Sequence, residues 1–217
     1  MSKLHLIASL ETFEKGGRMS LPRGNAKALY VVDGSVRCDG SLMSASLSGN
    51  SAAFLEEEAE FLSRDGATAI RWDLSTLPDP VEATEREGVT NKVLLSSPLD
   101  IDPNAIHLLR CDRVEFPPGG VAYLHTHRGP GTRVLLFGSI RIDTAGASHD
   151  YAPLEAWYES GPDPVFAAAS ETEPSAFARV MILPAELKGQ SSIRYEREED
   201  KDKPKPQRYQ VYLDRLL

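Results

Sequence analysis

The sequence predicts an all-β fold, a sandwich or barrel of short strands. Its 217 residues include 15 prolines and 16 glycines, which interrupt the apolar runs at short intervals. The runs have the length of strands and often alternate between apolar and polar residues, whereas apolar residues at helical spacing are rare. Short strands separated by turn residues are typical of sandwiches and barrels, in which each strand buries one face.

The predicted strands are apolar or alternating runs that end at turn residues. In chain order they are residues 29–32, 67–72, 107–116, 134–137, 139–143, 148–151, 176–183 and 209–213. Pro117 and Pro118 halt the third run, because proline has no amide hydrogen to donate to a sheet. Residues 144–147 predict a hairpin turn.

One segment, residues 51–62, favours a helix instead. Four apolar side chains share one face at helical spacing: Phe54, Leu55, Ala59 and Leu62. The glutamates at 56–58 would then form its solvated face. Near the end of the chain, the charge run at 195–206 predicts a solvated loop.

Composition and charge exclude several classes of function. The net charge of -8 argues against a nucleic-acid-binding protein and against a polybasic membrane anchor. No apolar run approaches the roughly 20 residues of a transmembrane helix, and the first apolar stretch is too short for a signal peptide. No phosphate-binding loop or nucleophile elbow occurs. We therefore expect a cytoplasmic protein in which Cys38 and Cys111 are free, buried thiols.

Residues 119–138 carry the strongest functional signal. This stretch holds two of the five histidines, His125 and His127, between a Pro-Gly-Gly turn and an apolar run. Side chains at i and i+2 of a strand point to the same face, so both imidazoles would face one space. Neutral imidazole is a common ligand of transition metals in proteins. The pattern therefore predicts a pair of metal ligands.

The same stretch resembles the first motif of the cupin family, G-x5-H-x-H-x3-E-x6-G. Gly119, His125, His127 and Gly138 fall on positions of the motif, whereas Gly131 stands at the position of its glutamate. The resemblance implies a jelly-roll barrel. It also implies a divalent transition metal (iron, zinc, nickel or manganese), which cupins hold with three histidines and a glutamate.

The second cupin motif, G-x5-P-x-G-x2-H-x3-N, is not retained. With Gly161 on its second glycine, Pro164 stands at the position of its histidine. Three residues are candidates to complete the site: Glu159, Asp163 and His149. The alternatives are a site completed by water or substrate, and a barrel that keeps both histidines only for packing or hydrogen bonding.

Three further residues are candidates for substrate binding: Arg133, Tyr123 and Trp157. Arg133 shares the strand face of Gly131, and an inward arginine must be paired or solvated. We expect it to form an ion pair with Glu159 or to bind the carboxylate of a small anionic ligand, unless it points outward. By alternation Tyr123 shares the face of His125, and Trp157 shares that of Glu159; core packing is the alternative for both aromatic residues.

A weak internal repeat extends the resemblance to the first half of the chain. Residues 21–37 and 128–141 each place a glycine before an apolar run, followed by Gly-Ser-Val-Arg or Gly-Ser-Ile-Arg. When Gly34 is aligned with Gly138, the residues at the positions of the two histidines are Leu21 and Arg23. The first half therefore resembles a barrel without metal ligands.

Together these observations predict an all-β bicupin. We expect a degenerate cupin-like half at 1–76, a proline- and acid-rich linker at 77–94, and a cupin barrel with a C-terminal strand at 95–217. The predicted function is that of a metalloenzyme that acts on a small molecule at a metal held by His125, His127 and Glu159. Cupins include dioxygenases, isomerases, decarboxylases and lyases, so the fold does not specify the reaction. A non-catalytic barrel that binds a small anion and a scaffold without ligand are the alternatives, and exposed edge strands favour a homodimer.

Overall fold

The structure, a computed structural model, describes residues 3–41 and 44–217. It divides into two compact units, Met1–Pro98 and Leu99–Leu217. Antiparallel strands build both units, which confirms the predicted all-β class. Among the described residues, the α-helical content is one turn, α1 (Glu198–Lys201), and a 3-10 helix covers Ala185–Leu187.

The N-terminal unit forms one antiparallel sheet of seven strands. The strands are β1 (His5–Leu21), β2 (Lys27–Gly40), β3 (Ser44–Ser48), β4 (Ser51–Leu55), β5 (Ala59–Leu62), β6 (Ala67–Ser75) and β7 (Glu85–Pro98). The sheet has the order β3-β2-β5-β1-β6, with β4 added to β2 and β7 added to β1, and β2 also pairs with β6. Because β1 and β2 are long and each pairs with both β5 and β6, the sheet closes on itself around an apolar core.

The C-terminal unit contains two sheets of five strands each. Their strands are β8 (His107–Phe116), β9 (Val121–His127), β10 (Gly131–Phe137), β11 (Ile140–Thr144), β12 (Ala147–Tyr151), β13 (Ala156–Glu159), β14 (Val165–Ala169), β15 (Ser175–Pro184), β16 (Ile193–Tyr195) and β17 (Arg208–Leu216). One sheet has the order β13-β10-β15-β8-β17 and the other β12-β11-β14-β9-β16. One apolar cluster joins side chains of both sheets, as in a jelly roll.

Every strand predicted from the sequence overlaps a strand of the structure. The predicted hairpin turn also forms, between β11 and β12. Ala145 and Gly146 in this turn have φ values of 50° and 77°. A two-residue hairpin turn with positive φ at both positions matches the right-handed twist of its strands.

The predicted helix at 51–62 is wrong. The segment forms β4 and β5, and the glutamates at 56–58 lie in the connection between them. Its buried side chains follow the alternation of strands, with Ala53 and Leu55 buried in β4 and Ala59 and Phe61 buried in β5. Pairing of both segments with β2 therefore overrides the helical spacing of the apolar residues.

The predicted linker differs from the structure over much of its length. Residues 77–84 are irregular, but residues 85–94 belong to β7, which pairs with β1 along most of its length. The boundary between the two compact units lies between Pro98 and Leu99. Although residues 85–94 contain several polar side chains, pairing with β1 makes them a strand at the edge of the sheet.

Both cysteines, Cys38 and Cys111, are free and buried, as predicted. Burial raises the pKa of the Cys38 thiol to about 11 and raises that of Cys111 further still. In residues 3–41 and 44–217, no helix is both long and apolar enough to span a membrane.

Corresponding strand pairs of the two units have the same local geometry. In the pair β2 and β6, the register shifts at residues 31–33, and in the pair β10 and β15 it shifts at 135–137. The glycines that follow these shifts, Gly34 and Gly138, both have φ of +76°. A Cβ at either glycine would lie 2.8 Å from a Cα atom of the neighbouring strand. The same structural requirement therefore explains glycine at both positions matched by the sequence repeat: the backbone has positive φ and lies close to the neighbouring strand.

Candidate metal centre

Strand β9 supplies the two histidines to the interior of the C-terminal unit. His125 and His127 are 5% and 6% exposed. Their rings lie edge to face with centroids 5.0 Å apart, as expected for side chains at i and i+2 of one strand. The strand pairs with β14 on one side and with β16 on the other, which fixes the face to which both side chains point.

Each histidine is anchored through its Nδ1 atom. In His125 this atom lies 2.7 Å from the Tyr123 carbonyl oxygen, and in His127 it lies 3.2 Å from Ser192 Oγ. A hydrogen bond at Nδ1 fixes the orientation of the ring and directs the other nitrogen, Nε2, to a metal. The two rings therefore offer their Nε2 atoms as ligands.

Strand β13 supplies the carboxylate that the family's motif has elsewhere. Glu159 is the cross-strand partner of Gly131, the residue at the position of the motif's glutamate. A Cβ at Gly131 would lie 2.5 Å from the Val180 carbonyl oxygen and 2.8 Å from Met181 Cγ, so this position has no room for a side chain. The carboxylate thus enters the same face of the sheet from the neighbouring strand.

The three predicted ligands come together in the structure. Ligand atoms of His125, His127 and Glu159 all lie within 4.8 Å of one another. His127 Nε2 is 3.8 Å from Glu159 Oε2. The other two candidates lie elsewhere: His149 is exposed on β12, and Asp163 is exposed in the turn after β13, where it accepts a hydrogen bond from Ser160.

Arg133 lies behind Glu159 and is fully buried. Its Nη2 atom is 2.6 Å from Glu159 Oε2, and Nη1 donates a 2.6 Å hydrogen bond to the Gly131 carbonyl oxygen. The contact with Glu159 is an ion pair without aligned hydrogen-bond geometry, and Glu159 Oε2 has no hydrogen-bond donor among the described residues. Burial lowers the pKa of Arg133 to about 10, against the attraction of Glu159, so the guanidinium stays charged at neutral pH.

A second ion pair, between the partly buried Arg179 and the buried Asp112, is not predicted by the sequence. The Arg179 guanidinium binds both oxygens of Asp112, at 2.6 and 3.0 Å, and its Nη1 atom lies 3.4 Å from His127 Nε2. One signal was present, because Arg179 is a charged residue inside the apolar run 176–183. Its partner stands on the adjacent strand β8 but is distant in sequence, so the run alone does not identify it.

Burial lowers the pKa of both imidazoles below the ordinary histidine value. At His125 the Glu159 carboxylate opposes this change. The pKa of His127 falls further, because the positive charges of Arg179 and Arg133 add to its desolvation. Both rings are therefore neutral near pH 7, the form in which imidazole binds metals.

The three ligands line a cavity of about 500 Å³ inside the C-terminal unit. Trp157 lines it as well and donates a 2.9 Å hydrogen bond from Nε1 to Glu159 Oε1. Tyr123 lies outside the cavity wall, with its ring against Lys203 Nζ at 4.9 Å. The pairs Val165–His125 and Ala167–Ala122 show that a bulge in β9 interrupts the alternation that would give Tyr123 and His125 one face.

The charge run at 195–206 is partly anchored over this cavity. Strand β16 and the segment that follows it contribute Tyr195, Lys205 and Gln207 to the cavity wall. Lys205 Nζ lies 4.6 Å from the Tyr195 ring centroid, and Asp200, 2% exposed, binds Lys203 at 2.7 Å. Most of the run is exposed, as the prediction of a solvated loop requires, but cation–π contacts and the buried Asp200 anchor part of it.

The donor set fits a divalent transition metal. Two neutral imidazoles and a carboxylate are a recurrent open metal site, and Glu159 Oε2 is a buried oxygen without a hydrogen-bond donor among the described residues. The neighbouring arginines lower the affinity for a metal cation. Arg133 partly neutralises the charge of Glu159, and Arg179 brings a positive charge next to His127. The cluster can therefore hold a metal cation best together with a ligand that brings negative charge.

The known proteins that resemble this chain are found among solved structures. No protein-family model and no curated protein match the chain. AerE from Microcystis aeruginosa has a TM-score of 0.62 at 12% identity, over 82% of this chain and 88% of its own. A cupin 2 conserved barrel domain protein from Leptotrichia buccalis has a TM-score of 0.51 at 13% identity, over 84% and 85%. Bacillus subtilis oxalate decarboxylase, in a structure concerned with its Mn(II) centres, has a TM-score of 0.64 at 11% identity, over 90% and 71%.

At these identities the likeness shows a shared fold and nothing about activity. The chain has the fold of the cupin barrel protein and of the decarboxylase, which confirms the predicted cupin fold.

Proposed function

We propose that the C-terminal unit binds one divalent transition metal through His125, His127 and Glu159, and that the chain is a cupin-fold metalloenzyme acting on a small molecule. One observation carries the proposal: ligand atoms of the two histidines and Glu159 all lie within 4.8 Å of one another, while Tyr123 and Ser192 hold the Nδ1 atoms of the two rings. When bound, iron, zinc, nickel or manganese supplies Lewis acidity or redox chemistry.

The surrounding residues have distinct roles in this proposal. Arg133 and Trp157 orient the two oxygens of Glu159 by an ion pair and a hydrogen bond. Arg179, held by Asp112, lies at the cavity wall and meets the anionic part of a ligand. Arg133 then affects ligand binding through Glu159, because it stands behind that carboxylate. Tyr123 affects it through the carbonyl group that orients His125.

We also propose that the chain is a bicupin whose N-terminal unit has lost its metal site. The equal registers around Leu29–Arg71 in one unit and Arg133–Arg179 in the other support a duplication. In the N-terminal unit the position of Arg179 is taken by Arg71, which is buried and forms an ion pair with Glu11 at 3.0 Å. A cytoplasmic location and a homodimer formed through an edge strand such as β17 remain predictions.

A second candidate function is the binding of a small anion without catalysis. It is favoured by the 3.4 Å contact between Arg179 Nη1 and His127 Nε2, since a guanidinium this close to a ligand nitrogen disfavours a metal cation. The two candidates differ in one requirement. The enzyme needs a metal at the histidines, whereas the binding protein holds an anion with Arg179 and needs none.

Elemental analysis of the purified, tag-free protein tests the proposal. The protein is reconstituted with iron, zinc, nickel or manganese, beside the double variant His125→Ala/His127→Ala. A matched control, His107→Ala/His149→Ala, changes as many histidines away from the cavity. We expect near-stoichiometric metal in wild type and control and its loss in the site variant. Wild-type protein that stays empty after all four reconstitutions would contradict the metalloenzyme and favour the anion-binding candidate.

A further inference from the structure

The cavity continues from the metal centre into an apolar chamber. We define this apolar chamber by six buried residues that line it: Phe116, Ala122, Trp157, Val165, Ala167 and Phe177. They come from both sheets, with the three aromatic residues on β8, β13 and β15 and the three aliphatic ones on β9 and β14. The cavity wall therefore includes an apolar part besides the polar ligands.

The apolar chamber has an aromatic wall, which comes from one sheet, and an aliphatic wall, which comes from the other. On the aromatic wall, the Phe177 ring lies 5.2 Å from Trp157 at 78° and 6.1 Å from Phe116 at 38°. On the other wall Ala122 and Ala167 are cross-strand partners, so two methyl groups lie side by side. Protein interiors rarely contain voids larger than a water molecule. An apolar space within a cavity of about 500 Å³ is therefore typical of a site for the apolar part of a ligand.

The apolar chamber begins directly beside the metal centre. Trp157 and Glu159 are two residues apart on β13, and Phe177 and Arg179 are two residues apart on β15. A two-residue step along a strand is about 7 Å. A ligand that occupies the apolar chamber and reaches the metal centre consequently needs only a short linker between its apolar body and its polar head.

The charges that line the cavity determine the sign of that head. Each described carboxylate that lines the cavity already has an arginine partner: Asp112 with Arg179, Glu159 with Arg133, and Asp214 with Arg110. These pairs balance, so a divalent cation at the histidines adds two positive charges that nothing in the wall neutralises. Lys205 adds a further positive group at the wall. An anionic head restores the balance, whereas an ammonium group would find no free carboxylate.

We propose that the cavity binds a small carboxylic acid with a ring-sized apolar body. Its carboxylate lies at the metal centre and Arg179, and its ring lies in the apolar chamber. The assignment of an anionic head group to the ligand rests on the proposed metal function. The assignment of an apolar body rests on the apolar chamber alone. The chemical class of the ligand is thus an arylalkanoate or a compound of the same shape and charge.

Calorimetric titration with three probes tests this assignment on metal-loaded wild-type protein. The probes are 3-phenylpropanoate, propanoate, which lacks the ring, and 3-phenylpropan-1-ol, which lacks the charge. We expect 3-phenylpropanoate to bind about tenfold more tightly than either of the other two. Equal affinities for 3-phenylpropanoate and propanoate would overturn the role of the apolar chamber, and equal affinities for the acid and the alcohol would overturn the anionic head.

A pair of variants on β14 locates the ring. Ala167→Phe places a ring in the apolar chamber, whereas the matched control Ala168→Phe adds the same side chain on the opposite face of the strand, which lies outside the cavity wall. We expect Ala167→Phe to remove the tenfold preference for 3-phenylpropanoate over propanoate while metal content is unchanged, and Ala168→Phe to keep both. A preference that survives in Ala167→Phe, with folding verified by circular dichroism, would overturn the placement of the ring.

Metal content is measured on the same samples, so the two proposals fail separately. Loaded protein that does not discriminate among the probes overturns the ligand class and leaves the metalloenzyme standing. Protein that never takes up metal overturns the proposed enzyme, and the same three probes are then titrated into the metal-free protein. There, a tenfold preference for 3-phenylpropanoate supports the ligand class with Arg179 as its anchor, and no preference overturns it.

Discussion

Replacing Arg133 by methionine should lower the stability of the metal-free C-terminal unit but raise its affinity for the metal. The substitution keeps a long side chain but removes the charge that lies 2.6 Å from Glu159 Oε2. Glu159, 7% exposed, then keeps the Trp157 hydrogen bond but has lost its countercharge. In metal-free protein this leaves an uncompensated buried carboxylate, whereas in loaded protein the metal cation takes over the role of the guanidinium.

The distance sets the expected magnitude. Two unit charges 2.6 Å apart attract each other by about 6 kcal/mol at an effective dielectric constant of about 20. Part of this attraction offsets the cost of burying both groups, and removal of one partner of a buried pair lowers the free energy of unfolding by about 3–5 kcal/mol. We expect a loss of this size in metal-free Arg133→Met. The double variant Arg133→Met/Glu159→Gln, which removes both charges, should recover most of it.

Urea unfolding of chelator-treated protein, followed by circular dichroism and tryptophan fluorescence, measures these free energies. A parallel titration with metal should give Arg133→Met a higher metal affinity than wild type, because Glu159 no longer shares its charge. A loss below about 1 kcal/mol in the single variant, or additive losses in the double variant, would refute the ion pair as the group that balances Glu159.

Three further outcomes are expected. Ser192→Ala removes the hydroxyl 3.2 Å from His127 Nδ1, and metal affinity in chelator competition should fall about tenfold; unchanged affinity would mean that the ring needs no such anchor. Gly131→Ala places a Cβ 2.5 Å from the Val180 carbonyl oxygen, and the free energy of unfolding in urea should fall by about 1–3 kcal/mol, whereas wild-type stability would contradict the close approach. Because burial raises the pKa of Cys38 to about 11, roughly 0.1% of this thiol is ionised at pH 8, against roughly a quarter of an ordinary thiol. A disulfide reagent should therefore label Cys38 only after unfolding or as the pH approaches 11, and rapid labelling of native protein at pH 8 would contradict its burial.

The ligand pair was predictable because it depends on local geometry alone. His125 and His127 stand at i and i+2, and any strand brings such side chains to one face. Glu159 also followed from the sequence, although less directly. Its distance from the histidines depends on β13 pairing with β10, whereas the sequence indicated only that a carboxylate was needed and that Glu159 alternates with Trp157 on one face.

Features that depend on non-local pairing were not predictable in the same way. The bulge that turns Tyr123 away from His125 arises from the register between β9 and β14. The Arg179–Asp112 pair joins two strands that are distant in sequence. The segment 51–62 has apolar residues at spacings that suit a helix as well as two short strands, and only its pairing with β2 decides between them.

Anomalous diffraction from crystals of the metal-loaded protein, recorded at the absorption edge of the metal, tests the central claim most directly. We expect one strong anomalous peak about 2.0–2.2 Å from His125 Nε2, His127 Nε2 and a Glu159 oxygen. A stoichiometrically loaded crystal with its peak elsewhere, or with Glu159 still bound only to Arg133 and Trp157, would contradict it.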